Sequence, residues 1–248
     1  MNREEKIAMI REMLHLIAVG SHDMPNHVFT YYVNHNISSE QKLFYNLIAD
    51  SFLTLYSFSN LINENCWSQA ATVLRMGMEQ VAAVSVMTYE KGALEKYLEL
   101  QKEKSEYYQL SDEKQKSYKK DCSIKGKLID YFDYGWIKDF TDDKTYGRDQ
   151  LLRLARLDEF LADIDQTLNS FAHGSITVFQ FSKDNWDAMK RYGDRICLAC
   201  CKLFDFLCCS YKTLIGEEII NTPINRVFIN FKTIYEAVIF ANNAKKQS

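Results

Sequence analysis

An all-α protein is what this sequence predicts: residues that turn the chain are scarce, helix formers are abundant, and apolar residues recur at spacings of three and four. Only 2 prolines and 9 glycines interrupt 248 residues, which leaves the backbone few places to bend sharply. Leu, Ala, Lys, Glu, Gln and Met fill the intervals, and their spacing marks amphipathic helices rather than strands. The length suits one large domain with a substantial core, so residues 1–248 are read as a single all-α domain. A net charge of -3 argues against a general nucleic-acid coat, because bulk phosphate binding relies on many Lys and Arg. A local basic patch is still compatible with it. The N-terminal MNREEKIAMI is charged within three residues and offers no secretory signal, so 7 cysteines imply a reducing compartment, and cytoplasmic location is expected.

The elements follow in order. Residues 3–19 carry Ile7, Ile10, Met13, Leu14 and Ile17 on one face. Pro25 in the polar stretch SHDMPNH predicts a loop, and Ser38 three residues before Gln41 gives the capping-box pattern of a helix start, opening a helix that runs to about residue 63. WSQAATVLRMGMEQVAAVSVMTYEKG is the most apolar helix. Between Ala70 and Thr88 its only charges are Arg75 and Glu79, too central for a membrane span, so it predicts a core helix and no membrane association. Residues 93–127 are lysine-rich with a thin Leu and Tyr stripe, and are expected to project into solvent. A short helix over 127–138 and the loop TDDKTYGRD come next. One helix from RDQ to FAH then aligns Leu157, Phe160, Leu161, Ile164, Leu168 and Phe171, and Gly174 stops it. The helix predicted over 183–215 places Trp186, Met189, Gly193, Ile196, Cys200, Leu203 and Leu207 near a heptad seam, which suits either a core helix or a self-association helix. Thr222 and Pro223 open a last helix to about residue 243.

Few side chains point to chemistry. Cys197, Cys200, Cys201, Cys208 and Cys209 have C-x-x-C spacing, but they lie on one helix among Leu, Phe and Ala without a second ligand pair, and read as apolar packing residues. His22 and His27 flank Pro25 without acidic or cysteine neighbours at ligand spacing and read as surface residues. Lysines 114, 116, 119, 120, 125 and 127, interleaved with Tyr118, suit phosphate contacts or a solvated helix face, and Asp112, Glu113 and Asp121 dilute them. Gly-rich phosphate loops, G-x-S-x-G and H-E-x-x-H are absent from the sequence.

His173 is the exception. On a helical wheel it falls opposite the apolar stripe, beside Asn169 and Gln166. A helix-terminal His before a Gly cap is one explanation, since an imidazolium there meets the negative end of the helix dipole. Arg75 and Glu79, one turn apart on an apolar helix, need partners if buried. A network of Arg75, Glu79, Asn169, Ser170 and His173 would satisfy them, either as an interhelical clamp that fixes register or as a phosphate-sized site.

The LNSFAHGS helix, preceded by a core helix with LRMGMEQ, resembles the HEPN superfamily, the higher eukaryote and prokaryote nucleotide-binding helical domains. It is most similar to bacterial members with a Ser-x-x-His segment after an Arg-x-x-x-Glu helix. The resemblance covers about residues 39–215 and implies a HEPN-like bundle with extra N-terminal, lysine-rich inserted and C-terminal helices. It also implies a toxin or antiviral-defence effector, a homodimer or protein partner, and RNA or a nucleotide as ligand, without a cofactor or metal. Ribonuclease relatives place an Arg before the His by four to six intervening residues, whereas this chain has Gln166, Thr167 and Leu168 there. Two expectations therefore stand side by side. One is a metal-independent endoribonuclease or nucleotide-handling effector, with His173 as general acid/base, Arg75 as charge stabiliser, and Glu79, Asn169 and Ser170 in support. The other is a catalytically inactive dimerisation or partner-binding module.

Overall fold

A computed structural model describes residues 2–142, 144–159, 161, 164, 168, 193–219 and 222–246, and among these no strand occurs. The protein is all-α. In α1 (Arg3–His22) a full capping box starts the helix: Asn2 Oδ1 accepts from the Glu5 amide and the Glu5 carboxylate accepts from the Asn2 amide, both at 2.8 Å. Only Asp23 separates it from α2 (Met24–Asn34). The loop predicted around Pro25 is therefore a helix start, because a first-turn proline lacks only an N–H that would have no intrahelical partner.

Ser38 caps α3 (Ser39–Asn63) by accepting from the Gln41 amide at 3.2 Å, the forward half of the predicted box. A connection of Glu64, Asn65 and Cys66 turns the chain into α4 (Trp67–Tyr89), with Asn65 left-handed at φ 58. Burial on α4 runs around much of the helix and includes Leu74, Met78, Val81 and Val84, so α4 is the central element.

The lysine-rich stretch divides in two. α5 (Ala93–Tyr108) buries Ala93 and Leu100 and sets Tyr97 edge-on to Trp136 at 5.7 Å, so it covers the core rather than projecting from it. α6 (Asp112–Asp121) buries nothing. α7 (Leu128–Tyr134) leads into a 3₁₀ helix, Gly135–Phe140, that buries Trp136 and Ile137.

α8 (Arg148–Leu154) is much shorter than the helix predicted from RDQ to FAH. Arg156 is left-handed at φ 57, its amide bonds Arg153 O at 2.9 Å, and the Leu157 amide bonds Leu152 O at 2.9 Å. That is a Schellman terminus with its apolar contact supplied by buried Leu152 and Leu157. Beyond it, residues 158, 159, 161, 164 and 168 are helical, and Leu161, Ile164 and Leu168 are buried as the periodicity predicts. Phe160 and Phe171 lie outside the described residues.

α9 (Asp194–Ile215) packs on α4, α1 and α3, and after a 3₁₀ turn, Gly216–Ile219, comes α10 (Pro223–Lys246), opened by Thr222. On α9 the seam residues Ile196, Cys200, Leu203 and Leu207 are at most 1% exposed. Its described part is thus filled by the chain's own helices and offers no dimer surface; Trp186 and Met189 lie outside the described residues. Phe204 is the hub, meeting Phe52 at 6.0 Å, Phe228 at 5.6 Å and Phe231 at 4.8 Å, so one ring joins α3, α9 and α10. At Gly20 a Cβ would lie 2.9 Å from Val227 Cγ1, so the absent side chain sets how closely α1 and α10 approach. Among the described residues no helix is long and apolar enough to cross a membrane.

Candidate functional site

The chemistry-bearing residues of α4 meet α7 and α8 at Glu79. Tyr134 at the end of α7 donates its hydroxyl to Glu79 Oε2 at 2.6 Å, and Arg148 at the start of α8 donates Nε to Glu79 Oε1 at 3.0 Å. Arg75 Nη1 stands 3.7 Å from the same Oε1. Both carboxylate oxygens are therefore engaged, one by a phenol and one by two guanidinium groups. The side chains are 13% exposed for Arg148, 27% for Glu79 and 28% for Arg75, so Arg148 holds the carboxylate from inside while Arg75 lies nearer the rim.

Local structure explains the arrangement. Arg75 and Glu79 share a face because residues four apart on a helix stack one turn above another. Arg148 occupies the first position of α8, where the positive end of the helix dipole disfavours a cation. The carboxylate of Glu79 offsets that cost, with Asp149 Oδ1 at 3.8 Å as a second, exposed counter-charge. Burial drives the Tyr134 phenol well above its ordinary pKa, and its hydrogen bond to Glu79 adds to the rise. A neutral phenol pinned on a carboxylate that is also paired with arginine is a strong structural tie. As a proton acceptor Glu79 is handicapped, because a substrate would compete with the Tyr134 and Arg148 donors already on its two oxygens.

Of the residues expected to gather here, Arg75 and Glu79 are together, and Asn169, Ser170 and His173 lie outside the described residues. Tyr134 and Arg148 complete the cluster and were not anticipated. The readable signal for Arg148 was its place directly after Gly147 in a helix's first turn, an unfavourable position for a cation without a specific partner. Tyr134 carried no such signal.

A second carboxylate is held differently. Glu103 on α5 accepts hydrogen bonds from Tyr118 of α6 and from Tyr131 of α7, the latter at 3.0 Å to Oε2. Burial raises both phenols, with the Glu103 bond as the next cause. No ion pair to Glu103 occurs among the described residues.

The remaining candidates sort by burial. Cys197, Cys200, Cys201 and Cys208 are buried, Cys209 is exposed, and burial pushes the four buried thiols up; the buried four pack as small apolar residues. His22 is at the surface, 2.9 Å from the Asp23 carboxylate. His27 departs from the surface reading: it is partly buried, its Nδ1 lies 2.8 Å from the Tyr211 hydroxyl, and desolvation lowers its pKa. Lysines 114, 116, 119 and 120 are exposed on α6. Compared with family models, curated proteins and solved structures, the chain matches none of them.

Proposed function

We propose that this protein is a HEPN-like helical module, of the kind the resemblance links to bacterial toxins and antiviral defence, that works through a partner rather than by cutting RNA. The observation that carries the proposal is the engagement of both Glu79 oxygens, one by Tyr134 and one by Arg148 and Arg75. The Arg-x-x-x-Glu pair that a catalytic reading would borrow for phosphate stabilisation is engaged in tying α4 to α7 and α8. The Arg that ribonuclease relatives place ahead of the histidine is replaced by Gln166, Thr167 and Leu168, which supports the same reading. A second copy or a protein partner would find apolar purchase on α2, where Phe29 and Val33 stand exposed one turn apart.

One observation favours a second reading. Arg75 keeps 28% of its side chain exposed, which puts a cation within reach of a phosphate. In that reading the protein is a metal-independent endoribonuclease with His173 as general acid/base, Arg75 as charge stabiliser, and Glu79, Asn169 and Ser170 in support. RNA cleavage in excess EDTA separates the two, using the wild type, His173→Ala and Arg75→Ala with the ends mapped. The proposal expects no cleavage that depends on His173, together with a sedimentation species heavier than a monomer, alone or with a partner. Ends bearing 2′,3′-cyclic phosphate, lost in His173→Ala, would overturn it in favour of the enzyme.

A further inference from the structure

We propose that the inserted segment holds a binding site for a small soluble anion of nucleotide size that carries two or more phosphates. The site is a cavity of about 800 Å³ between the end of α6, the face of α7 and the loop before α8. That volume falls within the usual span of small-molecule sites. Among the described residues its lining does not include Glu79 or the residues that hold it, and its test is separate from that of the proposal above.

Charge is the first argument. Lys125, Lys127, Lys138 and Lys144 line the cavity, and Asp130 is the single carboxylate residue among the lining. Four ammonium groups against one carboxylate make a local excess of positive charge in a chain whose net charge is -3. None of the four lysines forms an ion pair within 4.0 Å among the described residues; Lys144 Nζ reaches only the Asp139 carbonyl, at 3.5 Å. Some lysines elsewhere find carboxylates, as Lys104 does with Asp133 at 3.0 Å and Lys232 with Asp205 at 2.7 Å; the cavity instead gathers around one concavity four that, among the described residues, do not. Like charges around one concavity repel each other, and a multiply charged anion turns that repulsion into attraction. A monoanion relieves less of it than an oligophosphate, so charge selects the second.

Rigidity is the second argument. The Tyr146 hydroxyl donates to the Lys125 carbonyl, which fastens the loop before α8 to the segment after α6. Thr141 donates to the Thr145 carbonyl at 2.7 Å and closes that loop. Tyr131, also in the lining, is fixed by its two bonds to Glu103. The walls are thus set before a ligand arrives, which lowers the ordering cost of binding. Tyr131 and Tyr146 meet edge to face at 6.2 Å and give the cavity an aromatic side on which a base or sugar can rest.

The surroundings favour a small ligand over a nucleic-acid strand. A strand needs a basic track that follows its backbone, and on the neighbouring α6 the lysines are bounded by Asp112 and Glu113 at one end and Asp121 at the other, between them and the cavity's Lys125 in sequence.

Calorimetric titration of the full chain in magnesium-free buffer tests the proposal, with ATP, inorganic tripolyphosphate, AMP and a single-stranded RNA oligonucleotide as probes. Saturable one-site binding of tripolyphosphate or ATP is expected, with AMP at least roughly tenfold weaker and the affinity falling as salt rises. The Lys125→Ala/Lys138→Ala double variant should weaken binding about tenfold or more, and Lys91→Ala, away from the cavity, should leave it unchanged. Asp130→Asn should tighten it about two- to threefold, a gain that misfolding does not produce. ATP binding tighter than tripolyphosphate assigns the base to the tyrosine wall; equal affinities assign recognition to the phosphates alone. The proposal is overturned if neither small anion binds, if binding survives the double lysine variant, or if only the oligonucleotide binds.

Discussion

Glu79 and Glu103 are both half-buried anchors of the segment that follows α4, yet they are satisfied by different chemistry. Glu79 takes one phenol and two guanidinium groups, with Arg148 at 3.0 Å and Arg75 at 3.7 Å. Glu103 takes two phenols and, among the described residues, no cation. The difference teaches how the lysine-rich insertion stays cationic. Because Glu103 is held by neutral donors, it fixes α5, α6 and α7 to one another without consuming a lysine, and the amines around the neighbouring cavity are left for other work. At Glu79 the cations are spent on architecture, which ties α4 to α8.

The comparison breaks first at Glu79. Replacing it with Ala removes the closest carboxylate from Arg148, whose side chain is 13% exposed, and takes away the acceptor of the Tyr134 hydroxyl. We expect a loss of about 2–3 kcal/mol in urea unfolding, below the cost of orphaning a fully buried charge because the cluster is partly open to solvent. A loss under about 0.5 kcal/mol would show that the cluster is not a clamp. The two arginines sharpen the contrast next. A double-mutant cycle should give a coupling of about 1–2 kcal/mol for Arg148 with Glu79, and about 0.3–0.5 kcal/mol for Arg75 with Glu79, whose order along the helix is the weaker one. Equal couplings would contradict the division between inner and rim arginine.

At Glu103 the effects are smaller. Tyr118→Phe and Tyr131→Phe should each cost about 1 kcal/mol at neutral pH. The folded-state pKa of both phenols lies above the ordinary 10.0, so their contribution is complete below pH 10 and declines as pH rises toward the folded values. Alkaline unfolding should therefore be shallower in the double Phe variant than in the wild type. The smallest effect is at acid pH, at the contact of His27 with Tyr211. Burial lowers the His27 pKa below 6.5, so its contribution is present above 6.5 and is lost as pH falls through the lower folded value. His27→Asn should flatten that acid limb in a stability-versus-pH series, and an unchanged limb would assign it to other groups.

Much of the fold was legible in the sequence because burial obeys helical periodicity. Ile10, Met13, Leu14 and Ile17 on α1, and Leu157, Leu161, Ile164 and Leu168 further on, are buried as their spacing requires. The misreadings were local. Pro25 resembles a turn signal unless it falls in a first turn, and Arg156 ends α8 in a left-handed conformation usually announced by glycine. The seam on α9 was ambiguous in principle, since a heptad pattern does not say whether its partner is the same chain or another. The Arg75–Glu79 pair was legible as a polar link in an apolar helix. The first-turn place of Arg148 asks for an anion but does not say which, and Tyr134 carries no signal at all, because their contacts reach a helix 69 and 55 residues earlier.

The close approach at Gly20 has a consequence in time as well as space. Val227, which fills the space beside it, emerges from the ribosome after about two hundred further residues, roughly 10–40 s later at ordinary elongation rates. Through that interval the first helix of the chain lacks its last neighbour, and part of its apolar face waits uncovered. Release of the nascent chain before α10 is made would leave that face permanently open, so premature termination should yield a product recognised by chaperones and proteases rather than a shortened version of the working protein.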